Sequence, residues 1–223
     1  MAFENRAEAG RMLARRLDKY RGQHPLVLAI PRGAVPMGKI VADALEGDLD
    51  VVLVRKLRAP DNPELAIGSI DETGAVYLDP DTRYLCTDAY LEREKQTQLT
   101  VLSQRRAQYG QTGPPLAVKG RVVIVVDDGI ATGSTMIAAL RAARAAGPAK
   151  LVAATAVASA EALRAIAREA DDVVCVEVPD ALYAIGLHFR DFSQVSDEEV
   201  VAVLRDARQA RAVKQAGRAH AVD

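Results

Sequence analysis

Residues 122–135 read VVIVVDDGIATGST, and the order of residue types in that stretch decides the fold class. Five consecutive β-branched apolar residues (122–126) have no polar alternation, so they predict a strand buried on both faces. Asp127 and Asp128 end the run, Gly129-Ile130-Ala131 turns the chain, and Thr132-Gly133-Ser134-Thr135 opens a helix. That helix is expected over 134–146, because Gly147-Pro148 is an ordinary stop signal. A strand flanked by helices in this way belongs in a parallel sheet, where ligands bind beyond the carboxyl ends of the strands. The acidic pair falls at that edge. Adjacent carboxylates repel, so hydrogen-bond donors or a cation there would relieve them. A vicinal diol offers two donors, and Mg²⁺ offers charge. The following turn combines hydroxyls, a glycine that allows close backbone approach and free amides at a helix start, the parts of an oxyanion cradle. Each part alone is ordinary: Asp-Asp-Gly makes turns, and Thr and Ser cap helices. Together they match the two ends of a ribose 5-phosphate.

Working outward, strands are expected at 26–30, 51–54, 151–157 and 173–178, and helices at 37–45 and 160–170. Phe3, Ala7, Leu13, Leu17 and Tyr20 have helical spacing, so an opening amphipathic helix is expected. Residues 57–66, with Pro60 and Pro63, read as a loop. Residues 67–70 and 75–78 flank Asp71-Glu72-Thr73-Gly74 as a hairpin, and 88–109 reads as a long helix. Ser196 and Glu199 form a capping box for a last helix. The expectation is one α/β domain over 1–223, a parallel sheet with helices on both faces. Its core is placed at about 20–178, a small C-terminal hood at 179–195, and a helix and tail at 196–223.

Lys+Arg is 29 against Asp+Glu 30, a formal net charge of −1, which gives no footprint for nucleic acid. Only residues 205–220 are locally basic, through Arg205, Arg208, Arg211, Lys214 and Arg218, and read as a solvated helical end or a disordered tail. Cys86 and Cys175 suggest neither a metal site nor a disulfide framework. No apolar run approaches the ~18 residues that span a bilayer, and the start lacks the apolar core of a signal peptide, so a cytoplasmic protein is expected. A receiver-type signalling domain also places acidic residues at a strand end, but at its first strand and without a Thr-Gly-Ser-Thr cradle.

The hydrophobic strand, the acidic pair and the Thr-Gly-x-Thr loop resemble the signature of the type I phosphoribosyltransferases. The resemblance implies transfer of a phosphoribosyl group from phosphoribosyl pyrophosphate to a nitrogenous base. Asp127 and Asp128 would hold the ribose hydroxyls, and Ala131, Thr132, Gly133, Ser134 and Thr135 the 5-phosphate. Mg²⁺ would be held mainly by the substrate, with no dedicated protein ligands. Arg32 and Gly33, in the loop after the first strand, stand where the family binds pyrophosphate. Arg55 and Lys56, at the end of the second strand, resemble the basic pair aimed at the same group. Residues 57–66 occupy the place of the mobile catalytic loop, from which Glu64 could reach the base. In the hood, Tyr183, His188 and Phe189 are available to a ring, although core packing also suits Tyr183 and Phe189. Ala131 stands where 6-oxopurine enzymes carry an aspartate, as in enzymes resembling the adenine and uracil transferases. Family members are often dimeric, so a homodimer is compatible with this reading. The competing reading is a regulator of the same fold that binds phosphoribosyl pyrophosphate without turning it over.

Overall fold

The computed structural model describes residues 2–79, 81–110 and 112–219, without the side chains of 63, 64, 214, 215 and 217–219. Its elements run α1 (Arg6–Arg16), β1 (Leu26–Ala29), α2 (Ala34–Ala44), β2 (Asp48–Val51), β3 (Val54–Ala59), β4 (Asn62–Asp71) and β5 (Val76–Leu78). They continue through α3 (Asp88–Gly110), β6 (Val122–Ile130), α4 (Ser134–Ala145), β7 (Lys150–Ala158), α5 (Ala160–Ile166), β8 (Asp172–Glu177) and α6 (Asp197–Ala219).

Alternation along β6 explains the layering. Val123 and Val125 pack with Met136 and Leu140 of α4 and Ile166 of α5, whereas Ile124 and Val126 pack with Leu13 of α1 and Val41 of α2. Successive side chains of a strand point to opposite faces, so an unbroken apolar run needs helices on both. The sheet order is β2-β1-β6-β7-β8 with every neighbour parallel. From β1 the chain steps outward to β2, then returns to the other side of β1 and steps outward again through β6, β7 and β8. The reversal lies between β1 and β6, which is where such sheets open a crevice at their carboxyl edge.

A second sheet, β3-β4-β5, is antiparallel throughout. Here the loop expected over 57–66 is overturned. Ala59 pairs with Asn62, so Pro60-Asp61 is a two-residue turn and 57–66 is a hairpin. Pro suits the first central position of a tight turn. The register shifts between Leu57 and Arg58 and again between Arg58 and Ala59, the kind of irregularity that lets Pro63 sit in a strand. The strand expected at 51–54 also divides: β2 ends at Val51, and β3 begins at Val54 in the other sheet. The β4–β5 hairpin forms as expected. The Asp71 carboxylate accepts from the Thr73 amide at 2.8 Å and the Ala75 amide at 3.1 Å, and Gly74 takes φ +87°.

The opening helix starts later than its spacing suggested. Asn5 caps it by accepting from the Glu8 amide at 3.0 Å, which leaves Phe3 outside, bridged to Phe189. The last helix carries its capping box: the Ser196 amide donates to Glu199 at 2.7 Å, and the Glu199 amide donates to Ser196 Oγ at 3.1 Å. Its basic face is not merely solvated. Arg208 donates to the buried Asp50 carboxylate at 3.1 Å and Arg211 faces Asp48, so α6 is tied to β2, while Lys214, Arg218 and His220 lie outside the described side chains. Among the described residues no helix is long and apolar enough to cross a membrane.

Candidate active site

β1 and β6 run in register, Ala29 beside Val126, and the Ile30 amide donates to the Val126 carbonyl at 2.9 Å. The residues that follow each strand therefore emerge side by side. β6 continues through Asp127, Asp128 and Gly129 to Ile130, longer than its apolar run, so the acidic pair lies inside the strand rather than after it. Asp127 faces Thr155 of β7 in the ladder and accepts from the Asp128 amide at 2.9 Å. Burial, then the charge of Asp128, pushes the Asp127 carboxyl well above the usual carboxylate range.

Across the crevice stands the β1–α2 loop, whose Pro31–Arg32 peptide is cis. Gly33 has ordinary helical φ and ψ, so its role is space: a Cβ there would lie 2.2 Å from Asp128 Oδ2. Arg32 reaches toward Asp197 at the start of α6, with 3.6 Å between the charged atoms, and the Tyr109 hydroxyl holds the other oxygen of Asp197 at 2.5 Å.

On the other side of β6, the chain passes through exposed Ala131 and Thr132 to Gly133, the residue before α4. Gly133 has φ +85°, a left-handed conformation that costs other residues about 1–2 kcal/mol. No side chain caps this helix start. The Thr132 and Ser134 hydroxyls lie 3.2 Å from each other, and the Ser159 hydroxyl fixes the loop by donating to the Ala131 carbonyl at 2.9 Å. An uncapped helix start ringed by hydroxyls attracts an anion through its free amides and its dipole.

A family model described as a phosphoribosyl transferase domain matches residues 3–189. The chain belongs to the type I phosphoribosyltransferases. Two Mycobacterium tuberculosis proteins, from strains CDC 1551 and H37Rv and provisionally named as phosphoribosyl transferases, are each 40% identical over 220 residues. The match covers 96% of this chain and 50% of theirs, so the chain spans about half the length of the curated relatives it matches. The crystal structure of TT1426 from Thermus thermophilus is 43% identical and superposes with a TM-score of 0.84, covering 92% of this chain and 99% of that one.

Of the site residues expected from the sequence, Arg32, Gly33, Asp127 and Asp128 meet at one edge, and Ala131, Thr132, Gly133, Ser134 and Thr135 follow directly from it. Arg55 and Lys56 are displaced. They lie inside β3, not at the end of a parallel strand, because β2 ends at Val51. Arg55 donates to Gln98 of α3, and burial followed by its Arg105 and Arg58 neighbours holds its pKa below the ordinary value. Val54 packs with the cluster of α4 and Leu57 with the cluster of α3, so alternation puts Lys56 on the α4 face and Arg55 on the α3 face. The backbone of Glu64 lies in β4, in the hairpin; its side chain is outside the described residues.

The hood is a short 3-10 turn, Ile185–His188, with its flanks. Phe189 is core, its ring 5.2 Å from that of Phe3 and 4.8 Å from that of Phe192. His188 faces Glu177 at 3.5 Å, while Tyr183 is 88% exposed, which excludes core packing for it. The hood meets the strand at Gly129, where a Cβ would lie 2.2 Å from Ile185 Cγ2. An open cleft of about 370 Å³ lies between hood and strand edge, lined by Arg6, Arg32, Asp128, Ile185, Phe192 and Gln194 among others. Sequence reading missed Arg6, whose Nε donates to Asp128 Oδ2 at 2.7 Å. Nothing near Arg6 in the chain marks it, since its partner is 122 residues away.

Proposed function

We infer that this protein is a cytoplasmic enzyme that transfers a phosphoribosyl group from phosphoribosyl pyrophosphate to a nitrogenous base. The bond from the anomeric carbon to the pyrophosphate oxygen breaks, a bond from that carbon to a ring nitrogen forms, and the nitrogen's proton is lost. The observation that carries this reading is the pairing of the recessed acidic pair with the uncapped start of α4, at the one place where the strand order reverses. Asp127 and Asp128 accept from the two ribose hydroxyls, and the amides and hydroxyls of 131–135 hold the 5-phosphate. Gly33 lets the β1–α2 loop approach Asp128 closely enough for its amides, with Arg32, to face the leaving pyrophosphate. Lys56, on the α4 side of β3, adds positive charge there.

Asp127 and Asp128 lie beside the guanidinium of Arg6, and a substrate carrying Mg²⁺ would bring positive charge to these carboxylates without a dedicated protein ligand for the metal. Held in that way, Mg²⁺ would supply charge that offsets the departing pyrophosphate. The protein positions the sugar, stabilises developing charge with preorganised donors and excludes water. With Glu64 in the hairpin, a base contact from it requires the β3–β4 turn to fold over the cleft.

The acceptor follows from Ala131, whose methyl group does no acid–base work and whose carbonyl is engaged by Ser159. General acid–base help is typically worth ~10²–10⁴ in rate. Hypoxanthine and guanine are therefore expected to be poor acceptors beside adenine or a pyrimidine. Pyrophosphate release with adenine, hypoxanthine, guanine, uracil and orotate, with and without Mg²⁺, tests both statements. Binding of phosphoribosyl pyrophosphate with no turnover of any base would instead indicate a ligand-binding regulator.

A further inference from the structure

Arg6 lies in the first turn of α1, far in sequence from every other residue of the site, yet its guanidinium makes three contacts at the cleft. Its Nε donates to Asp128 Oδ2 at 2.7 Å, its Nη1 donates to the Ser193 carbonyl at 2.6 Å, and its Cζ lies 3.8 Å from the centroid of the Phe192 ring. The side chains of Arg6 and Asp128 are 13% and 15% exposed, so this is not a solvated surface pair. Arg6 is also held from behind. The Phe3 amide donates to the His188 carbonyl at 2.8 Å, the Arg190 amide to the Phe3 carbonyl at 2.8 Å, and the Asp191 amide to the Glu4 carbonyl at 2.9 Å. The N-terminal arm is thus zipped to the hood, and Arg6 extends from that arm to the diol-binding strand.

We propose that Arg6 is a positioning residue for the sugar, fixing the Asp128 carboxylate through Oδ2 while carrying Phe192 and Ser193 of the hood on the same guanidinium. The proposal rests on the reading of Asp127 and Asp128 as diol acceptors. Nε fixes the Asp128 carboxylate through one oxygen, Oδ2. The contacts to Ser193 and Phe192 do not depend on Asp128, so the guanidinium keeps its place when a ligand shares the carboxylate. Burial and the charge of Asp128 drive the Asp127 carboxyl up, and Arg6 works against them. Without Arg6 that opposing charge is lost and the Asp127 carboxyl rises further, so it accepts less well from a hydroxyl. The hood, meanwhile, would lose its tie to Asp128.

The test uses the full chain with Arg6→Ala and Arg6→Lys, titrated calorimetrically with ribose 5-phosphate and, separately, with inorganic phosphate. Hydrogen exchange of amides 188–193 is followed in parallel. Arg6→Ala is expected to lose at least about tenfold in ribose 5-phosphate affinity, about 1.4 kcal/mol, and to keep its phosphate affinity. Its hood amides are expected to exchange faster. Lys can pair with Asp128 but lacks the second nitrogen that reaches Ser193. Arg6→Lys is therefore expected to recover most of the sugar affinity and little of the hood protection. It also keeps the test informative if the alanine variant does not fold. Unchanged affinity in Arg6→Ala, an equal loss for sugar and phosphate, or tighter ribose 5-phosphate binding would each overturn the proposal, the last by making Arg6 a competitor of the diol. Failure of the unmodified protein to bind ribose 5-phosphate would overturn the diol reading itself, a result distinct from all of these.

Discussion

The two sheets of this molecule treat their charged residues in opposite ways. In the antiparallel sheet, Arg55 is taken up by Gln98 of α3, Asp71 accepts three hydrogen bonds from its own turn, and Glu72 is paired with Arg106 on two oxygens. At the carboxyl edge of the parallel sheet, Asp128 pairs with Arg6 while burial and Asp128 push the neighbouring Asp127 carboxyl up, and a helix start faces the crevice without a side-chain cap. Satisfied polar groups stabilise a fold, whereas under-satisfied ones are kept where a ligand completes them. The contrast separates scaffold from site without reference to any ligand, and it predicts where substitutions should affect binding rather than stability.

The largest expected effect comes from removing the charge at the edge. Asp127→Asn with Asp128→Asn should leave the chain folded and abolish binding of phosphoribosyl pyrophosphate, because two charge-assisted hydrogen bonds to hydroxyls, each worth about 1.5–3 kcal/mol, are weakened together. Calorimetric titration of the folded double variant checks it. Affinity within a few-fold of the unmodified protein would mean that the under-satisfied edge is not where the diol binds.

Next comes crowding of the same edge. Gly33→Ala would bring a methyl group to 2.2 Å from Asp128 Oδ2 and 3.2 Å from Arg6 Nη2. Both of those groups are held by other bonds, so the expected result is about 1–3 kcal/mol of destabilisation together with loss of ribose 5-phosphate binding. For Gly129→Ala the three nearest atoms all belong to the side chain of Ile185, which can move with the hood, so the change should cost less while altering the choice of base. Thermal unfolding and ligand titration of both variants compare the two sides of the crevice. Equal effects would show that the hood is as rigid as the β1–α2 loop.

This ordering also shows what the amino-acid sequence reveals and what it conceals. The β6–α4 unit is legible because its signals are local: an apolar run, an acidic pair, a left-handed glycine and a helix start within fourteen consecutive residues, 122–135. The capping box of α6 and the Asp71–Gly74 turn are legible for the same reason. Residues 57–66 misled because proline marks a turn and a strand edge equally well, and only pairing decides between them. With 57–66 read as a loop, Arg55 and Lys56 fall at the end of the second strand, whereas β2 ends at Val51 and both lie inside β3. Arg6 and Ile185 had no local signal at all, since their roles exist only once distant segments pack against Asp128 and Gly129.

A smaller effect sharpens the distinction within β3. Lys56→Ala should weaken phosphoribosyl pyrophosphate about tenfold more than ribose 5-phosphate, because only the former carries the pyrophosphate that Lys56 is proposed to face. Arg55→Ala should change neither affinity and should cost about 1 kcal/mol of stability through the lost bond to Gln98. Parallel titrations and denaturant unfolding check the pair. The reverse pattern would place Arg55 in the site and make the bond to Gln98 a feature of the unliganded protein alone.

The smallest effect expected is on stability, and its sign opposes intuition. Burial and the neighbouring Asp128 raise the folded-state pKa of Asp127 above its unfolded value. Between those two values the folded protein binds more protons than the unfolded one, so stability falls as pH rises through that window, and the penalty is complete above it. Asn in place of Asp127 removes the penalty while keeping an oxygen to accept from the Asp128 amide. Asp127→Asn alone should therefore be more stable than the unmodified protein at pH 8, and the advantage should shrink as pH falls toward the unfolded pKa. Denaturant unfolding of both proteins across that range measures it. The same carboxylate must be ionised to serve as a full acceptor, so affinity for ribose 5-phosphate in the unmodified protein should rise with pH over the interval in which its stability falls. A variant less stable at pH 8 would mean that the carboxylate is stabilised where it stands. The edge would then be as well satisfied as the antiparallel sheet, and the division between scaffold and site would fail at its central residue.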